Sequence, residues 1–197
     1  MTDPTPATPT PATPTPVTPT PAAPTGLVYA DVPNRAIAYI IDIIIVGIVA
    51  AIVNGVLTGM GLSSVTVRPD LRVDINYAGT LVQGVVGLLI SAGYFIYTWT
   101  SMRATLGMRV LGMQIGNAAD GKTLTTDQAI RRYLALSAPS ILSQVLFPLP
   151  LIGFIVGLLS LAWFIYLVYT TATSPTKQGW HDVFASTMVV KALGSVR

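Results

Sequence analysis

Three apolar regions dominate the chain after residue 36. Ile37 to Leu57 is a run broken by Asp42, Gly47, Asn54 and Gly55. Leu81 to Trp99 is a second, with Gln83 and Ser91 its most polar members. The third runs from about Tyr133 to Tyr169. As one helix it would be near 55 Å long, against a hydrocarbon core of about 30 Å. It must fold back, and Pro148-Leu149-Pro150 is the natural break because proline ends helices and suits turns. The pattern predicts an all-α membrane protein with four transmembrane helices: Ile37 to Leu57, Leu81 to Trp99, about Gln128 to Phe147, and about Leu151 to Thr170. The lipid bilayer is then the main partner of the fold.

The segments between the runs predict smaller elements. Met108 to Ile115 can alternate as a short strand, and Thr187 to Lys191 is a second β-prone run. The two are expected to pair as a small sheet. Ala119-Asp120-Gly121-Lys122 is a tight-turn signal. Thr125-Thr126-Asp127-Gln128 fits a capping box, with Thr125 as the N-cap of helix three. Gly55-xxx-Gly59 and Gly153-xxx-Gly157 have the spacing that lets membrane helices approach closely.

Charge gives the helices a direction. Nine of the eleven Lys and Arg fall on one side: Arg35, the segment between helices two and three, and the C-terminal tail. The loop from Thr58 to Thr80 holds only Arg68 and Arg72. By the positive-inside rule the basic side is cytoplasmic, which places both termini and the small sheet there. Tyr94, Tyr97, Trp99, Trp163, Tyr166 and Tyr169 are expected to sit at the same interface.

Composition agrees with lipid as solvent. Only 10% of the residues are charged, against about 25% in a soluble domain. The excess of +3 is too small to suggest nucleic acid. Residues 4 to 25 repeat PTPAT-like units and predict a solvated, extended tail, so residues 1 to 27 are expected to be disordered. A docking tract for a proline-binding partner is the other reading of that tail, and it has no basic residue to anchor such a partner. The first 25 residues have neither a basic start nor an apolar stretch, so no secretory signal is expected there.

The candidate chemistry is sparse. There is no cysteine and one histidine, His181, which removes thiolate catalysis and Cys/His metal clusters. No phosphate-binding glycine loop, zinc signature or nucleophile motif is present. No enzyme activity, cofactor or metal is expected. Asp42 is the strongest single signal, because an aspartate at a membrane helix centre costs about 2.5–3.5 kcal/mol. It admits two readings: a ligand for a small cation or proton, or a hydrogen-bond anchor between helices. No cation of helices two to four is expected near it. Arg35 lies seven residues earlier on the same helix face, about 10.5 Å away along the axis. Asp182 follows helix four at the same membrane face and is expected to pair with Arg35, with Arg132 nearby.

Several motifs occur in order: Arg35-Ala-Ile-Ala-Tyr-Ile-Ile-Asp42, Thr105-Leu-Gly-Met-Arg-Val-Leu-Gly112, Asp120-Gly121, Ala129-Ile-Arg-Arg132, His181-Asp182 and Thr187-Met-Val-Val190. Together they resemble the RDD family of bacterial membrane proteins. Arg35, Asp42 and Asp182 match the arginine and two aspartates for which that family is named. The resemblance covers residues 28 to 191, leaving 192 to 197 as a short tail. It implies a multi-pass protein of the bacterial plasma membrane, with ligand transport or sodium–proton exchange as suggested activities. Exchange by so small a domain implies a homo-oligomer. The alternative is a non-catalytic membrane scaffold whose cytoplasmic tail binds a partner.

Overall fold

A computed structural model describes residues 27–146 and 150–192. The expected disorder of residues 1 to 26, the break at Pro148 and Leu149, and the end of the C-terminal tail lie outside the described residues; Leu27, expected in the disordered tail, instead pairs with Ala192 in the first strand. Chain order is β1 (Leu27–Tyr29), α1 (Val32–Gly59), β2 (Val65–Val67), β3 (Val73–Ile75), α2 (Tyr77–Tyr97), α3 (Leu106–Val110), β4 (Met113–Asn117), α4 (Thr126–Leu146), α5 (Pro150–Thr173), α6 (Trp180–Phe184) and β5 (Thr187–Ala192). A π-helical turn, Thr98–Met102, extends α2.

The protein is mostly helical, and among the described residues three stretches are long and apolar enough to cross a membrane: Val32–Gly59, Tyr77–Met102 and Leu151–Thr173. Their shafts carry exposed Ile40, Ile44, Ile48, Ile52, Leu89, Leu158 and Ile165. So much exposed apolar surface is not compatible with water and needs lipid or protein against it. The fourth helix, α4, is long enough but less apolar, because it starts with Asp127, Arg131 and Arg132 and carries Ser137, Pro139 and Ser140.

Local signals explain the helix starts. Asp31 precedes α1 in extended conformation, with Pro33 in the first turn, where a missing N–H costs nothing. Asn76 caps α2 by accepting from the Gly79 N–H at 3.1 Å. Thr125 and Gln128 form the expected reciprocal capping box, with bonds of 3.2 and 3.1 Å.

The small sheet forms, with one strand more than the pattern predicts. Its order is β1-β5-β4, all antiparallel, with Tyr29 opposite Val190 and Ile115 opposite Val189. The expected strand from Met108 starts instead at Met113. Leu106–Val110 is helical because Thr105 caps it, accepting from the Met108 N–H at 3.2 Å. Gly112 at φ +66° then turns the chain into β4. The loop from Thr58 to Thr80 contains an unexpected hairpin, β2–β3, with Val65 opposite Ile75.

The buried core gathers at the sheet end. Phe95, Trp99, Met108, Met113, Ile115, Tyr133 and Val189 pack there, where α2, α3, α4 and the sheet meet. Trp99, expected at the interface, is 2% exposed within that core. Tyr97 and Tyr169, also expected at the interface, are exposed. Gly55, Gly59 and Gly157 have nothing within 4 Å of where a Cβ would stand, so no helix among the described residues packs on them.

Candidate functional site

Asp42 lies nearly three turns into α1 and is 1% exposed. Its carboxylate accepts three hydrogen bonds from neutral donors: Tyr94 O–H at 2.6 Å, Thr105 O–H at 2.5 Å and the Gly107 N–H at 2.8 Å. The Tyr94 oxygen in turn accepts from the Leu106 N–H at 3.1 Å. The α1 carboxylate therefore fastens both α2 and the start of α3. The approach is so close that a Cβ on Gly107 would stand 2.1 Å from the Ala38 carbonyl oxygen, which admits only glycine there. The sequence marks no partner for this acid, because no cation is placed near it and these three donors are uncharged. Tyr94 was expected at the interface and Thr105 was assigned no role. The one sequence signal for them is the Thr105-Leu-Gly107 motif.

Asp182, fully buried, binds two arginines. Oδ2 accepts from Arg35 Nη1 at 2.7 Å, and Oδ1 accepts from Arg132 Nη1. Oδ2 also accepts the Gly179 N–H at 3.1 Å, which caps α6. Arg35 donates further to the Ala30 carbonyl at 3.0 Å and the Val189 carbonyl at 3.3 Å. Arg132 Nη1 reaches the Thr187 hydroxyl at 2.5 Å. The structure thus brings Arg35, Arg132 and Asp182 together, and they join α1, α4, α6 and the sheet. Arg131, the next residue along, turns outward and pairs with Asp127 on the exposed face of α4.

Burial alone would push the Asp182 carboxyl up. Arg132, His181 and Arg35 outweigh that and hold it well below the usual carboxylate range. For His181, burial pulls the pKa down to about 4; Asp182 opposes, and Arg132 and Arg35 reinforce. His181 is therefore neutral near pH 7. In the unfolded chain it takes a proton near pH 6.5, while the fold resists until about pH 4. Stability is fully present above pH 6.5 and falls as pH drops toward 4, by roughly 3 kcal/mol in all. The Asp182 contribution is lost only at lower pH, below the ordinary carboxylate range. Melting temperatures in detergent should decline between pH 7 and 4.5, and His181→Gln should flatten that decline. Identical slopes in parent and variant would remove His181 as the cause.

Two cavities flank these groups. One, of about 170 Å³, lies between α1 and α5, with Arg35, Asp42, Trp99, Arg132 and His181 on its wall. The other, of about 400 Å³, lies between α1, α2 and α4 and is lined by Asn54, Gln83, Ser91 and Ser137 among apolar side chains. Tyr39, Phe95 and Ser140 line both. The Tyr39 and Phe95 rings, 6.1 Å apart, stand between them. Among the described residues no group of three or more His or acidic side chains is placed to hold a metal.

Fold and site together define a helical membrane domain whose polar end is tied by two buried carboxylates. The chain belongs to the RDD family: the family's model matches residues 29–186. All four candidate residues, Arg35, Asp42, Arg132 and Asp182, lie within the match. No curated protein and no solved structure matches the chain.

Proposed function

We propose that this RDD protein binds and transports a small ligand across the bacterial plasma membrane, with four membrane crossings and both termini cytoplasmic. The observation that carries the reading is the pair of cavities in series, separated by the Tyr39 and Phe95 rings and sharing Ser140. A domain that only holds its own fold has no need of two ligand-sized spaces meeting at one aromatic pair. α4 counts as the fourth crossing because it packs on both α2 and α5, which can cover its less apolar faces. The nine-to-two distribution of positive charge supports the orientation.

A specific observation favours the scaffold reading as the alternative. Asp42 already accepts three hydrogen bonds, so its place in the membrane is explained by the fold alone. A cation site at this residue would have to compete with those donors.

Reconstituted protein should support flux of a solute, and Ser140→Trp should block it while leaving the protein folded. No flux across a panel of monovalent cations and small organic anions would favour the scaffold. In the same preparation, a cysteine at Ser64 should be labelled from the face opposite a cysteine at Arg103; labelling from one face would refute the orientation.

A further inference from the structure

We propose that the cavity between α1 and α5 binds an anionic amphiphile: a carboxylate or phosphate head on an acyl chain, with the head on Arg132. The inference rests on the ligand-binding reading above and names the chemistry of the ligand.

Arg132 uses one end of its guanidinium only. Nη1 donates to Asp182 and Thr187. Nε is buried without a partner, and Nη2 makes no hydrogen bond among the described residues. Nε and Nη2 share one edge of the guanidinium, a fork that matches the two oxygens of a carboxylate or phosphate. Arg132 is 3% exposed, so that edge is withdrawn from bulk water and its pairing is incomplete.

The neighbour has the same need. Trp99 Nε1 is also buried without a partner, and the Trp99 ring lies 5.2 Å from Arg132 Cζ. Indole and guanidinium nitrogens can only donate. A ligand must therefore bring acceptor oxygens, and a metal cation is the wrong guest at this end. Charge agrees. Arg35 and Arg132 share the single carboxylate of Asp182, which lies behind the wall, and the acid on the wall, Asp42, gives its oxygens to Tyr94, Thr105 and Gly107. His181, with Nδ1 unpartnered, is neutral because burial opposes its charge.

The remainder of the wall is the wrong chemistry for a free inorganic anion. From Thr171 inward to Ser160 it follows α5 for eleven residues, about 16 Å. Leu136, Phe164, Leu167 and Val168 make this length mainly apolar. A volume of about 170 Å³ is close to the ~150 Å³ of an apolar cavity that admits benzene. It encloses a head and the first carbons, and the chain beyond leaves past Phe164, which is 49% exposed toward the apolar surroundings of α5. A headless alcohol would leave the fork unpaired, and acetate or phosphate would leave the apolar wall unfilled.

The test uses the full chain in neutral detergent, followed by calorimetry and tryptophan fluorescence. Decanoate and a short-chain phosphatidic acid are the probes for the two sources of head, and decanol, acetate and inorganic phosphate are the controls. At least one of the two anionic amphiphiles should bind saturably, and which one does identifies the head. Decanol should bind on the order of tenfold or more weakly, the loss expected when a charge-assisted hydrogen bond is absent, and acetate and inorganic phosphate should bind weakly because they bury no apolar chain. Arg132→Lys keeps the charge and removes the fork, and should weaken binding by a similar factor. Because Arg132 also holds Asp182, two variants leave the clamp intact: Trp99→Phe should weaken binding, and Ala36→Phe should abolish it by filling the cavity with little change in melting temperature. Equal binding of decanol and decanoate, or full binding by a folded Ala36→Phe protein, would overturn the proposal. Saturable anion binding without flux of any solute would leave this site standing and refute transport. Solute flux that decanoate, phosphatidic acid and Ala36→Phe all leave unchanged would do the reverse.

Discussion

Asp182→Ala should destabilise the protein by about 3–5 kcal/mol, the cost of leaving a buried charge without its partner. Here two guanidinium groups lose it at once, and the α6 cap on Gly179 goes with it. Arg35→Ala should fall in the same range, because Arg35 also ties α1 to the Ala30 and Val189 carbonyls. The double variant should cost clearly less than the sum, since the second change removes a group already stranded by the first. Thermal denaturation of the four proteins in one detergent measures this coupling directly. Strict additivity would show that the ion pair does not hold the helix to the C-terminal segment.

The second large effect is expected at Asp42. Asp42→Ala strands three donors, Thr105 and Gly107 buried and Tyr94 partly so, and a buried one costs about 1–3 kcal/mol when left unpaired. Because they sit in one network the losses will not add, and a total of roughly 3–5 kcal/mol is expected. The damage should be local first: α3 should loosen from α1, seen as faster hydrogen exchange at the Gly107 and Met108 amides. Gly107→Ala should give the same signature from the other side, since its Cβ would collide with the Ala38 carbonyl. Asp42→Asn should be intermediate, because its amide keeps one acceptor oxygen and turns a donor toward the remaining donors. If Asp42→Asn melts like the parent yet has lost all flux, Asp42 is a ligand rather than an anchor.

These two acids show where sequence reading succeeded and where it stopped. The Arg35–Asp182 contact was legible because helix ends and charge placement put both residues at one membrane face, where opposite buried charges seek each other. The Asp42 contacts were not legible. Tyr94 and Thr105 lie 52 and 63 residues away, and nothing local distinguishes an interfacial tyrosine from one that reaches into a helix packing. The same holds for Trp99, whose sequence position suits an interface and whose ring packs against Phe95 and Arg132.

The chain by itself determined its apolar spans, the capping box at Thr125 and Gln128, the pairing of the Thr187 strand with the Ile115 segment, and membership of its family. The spans rest on a run length set against the thickness of a bilayer, and the capping box and each strand on residues a few positions apart; the pairing of Ile115 with Val189 follows because both β-prone runs are left at one membrane face, and the family from motifs in order along the chain. Only the tertiary structure decided that Met108 belongs to a helix, and that among the described residues nothing packs on Gly55, Gly59 and Gly157 and nothing pairs with one edge of the Arg132 guanidinium. Those outcomes depend on which surfaces meet across tens of residues. A five-residue helix is too short to stand on its own propensity and exists here because Asp42 and Thr105 hold its first N–H groups.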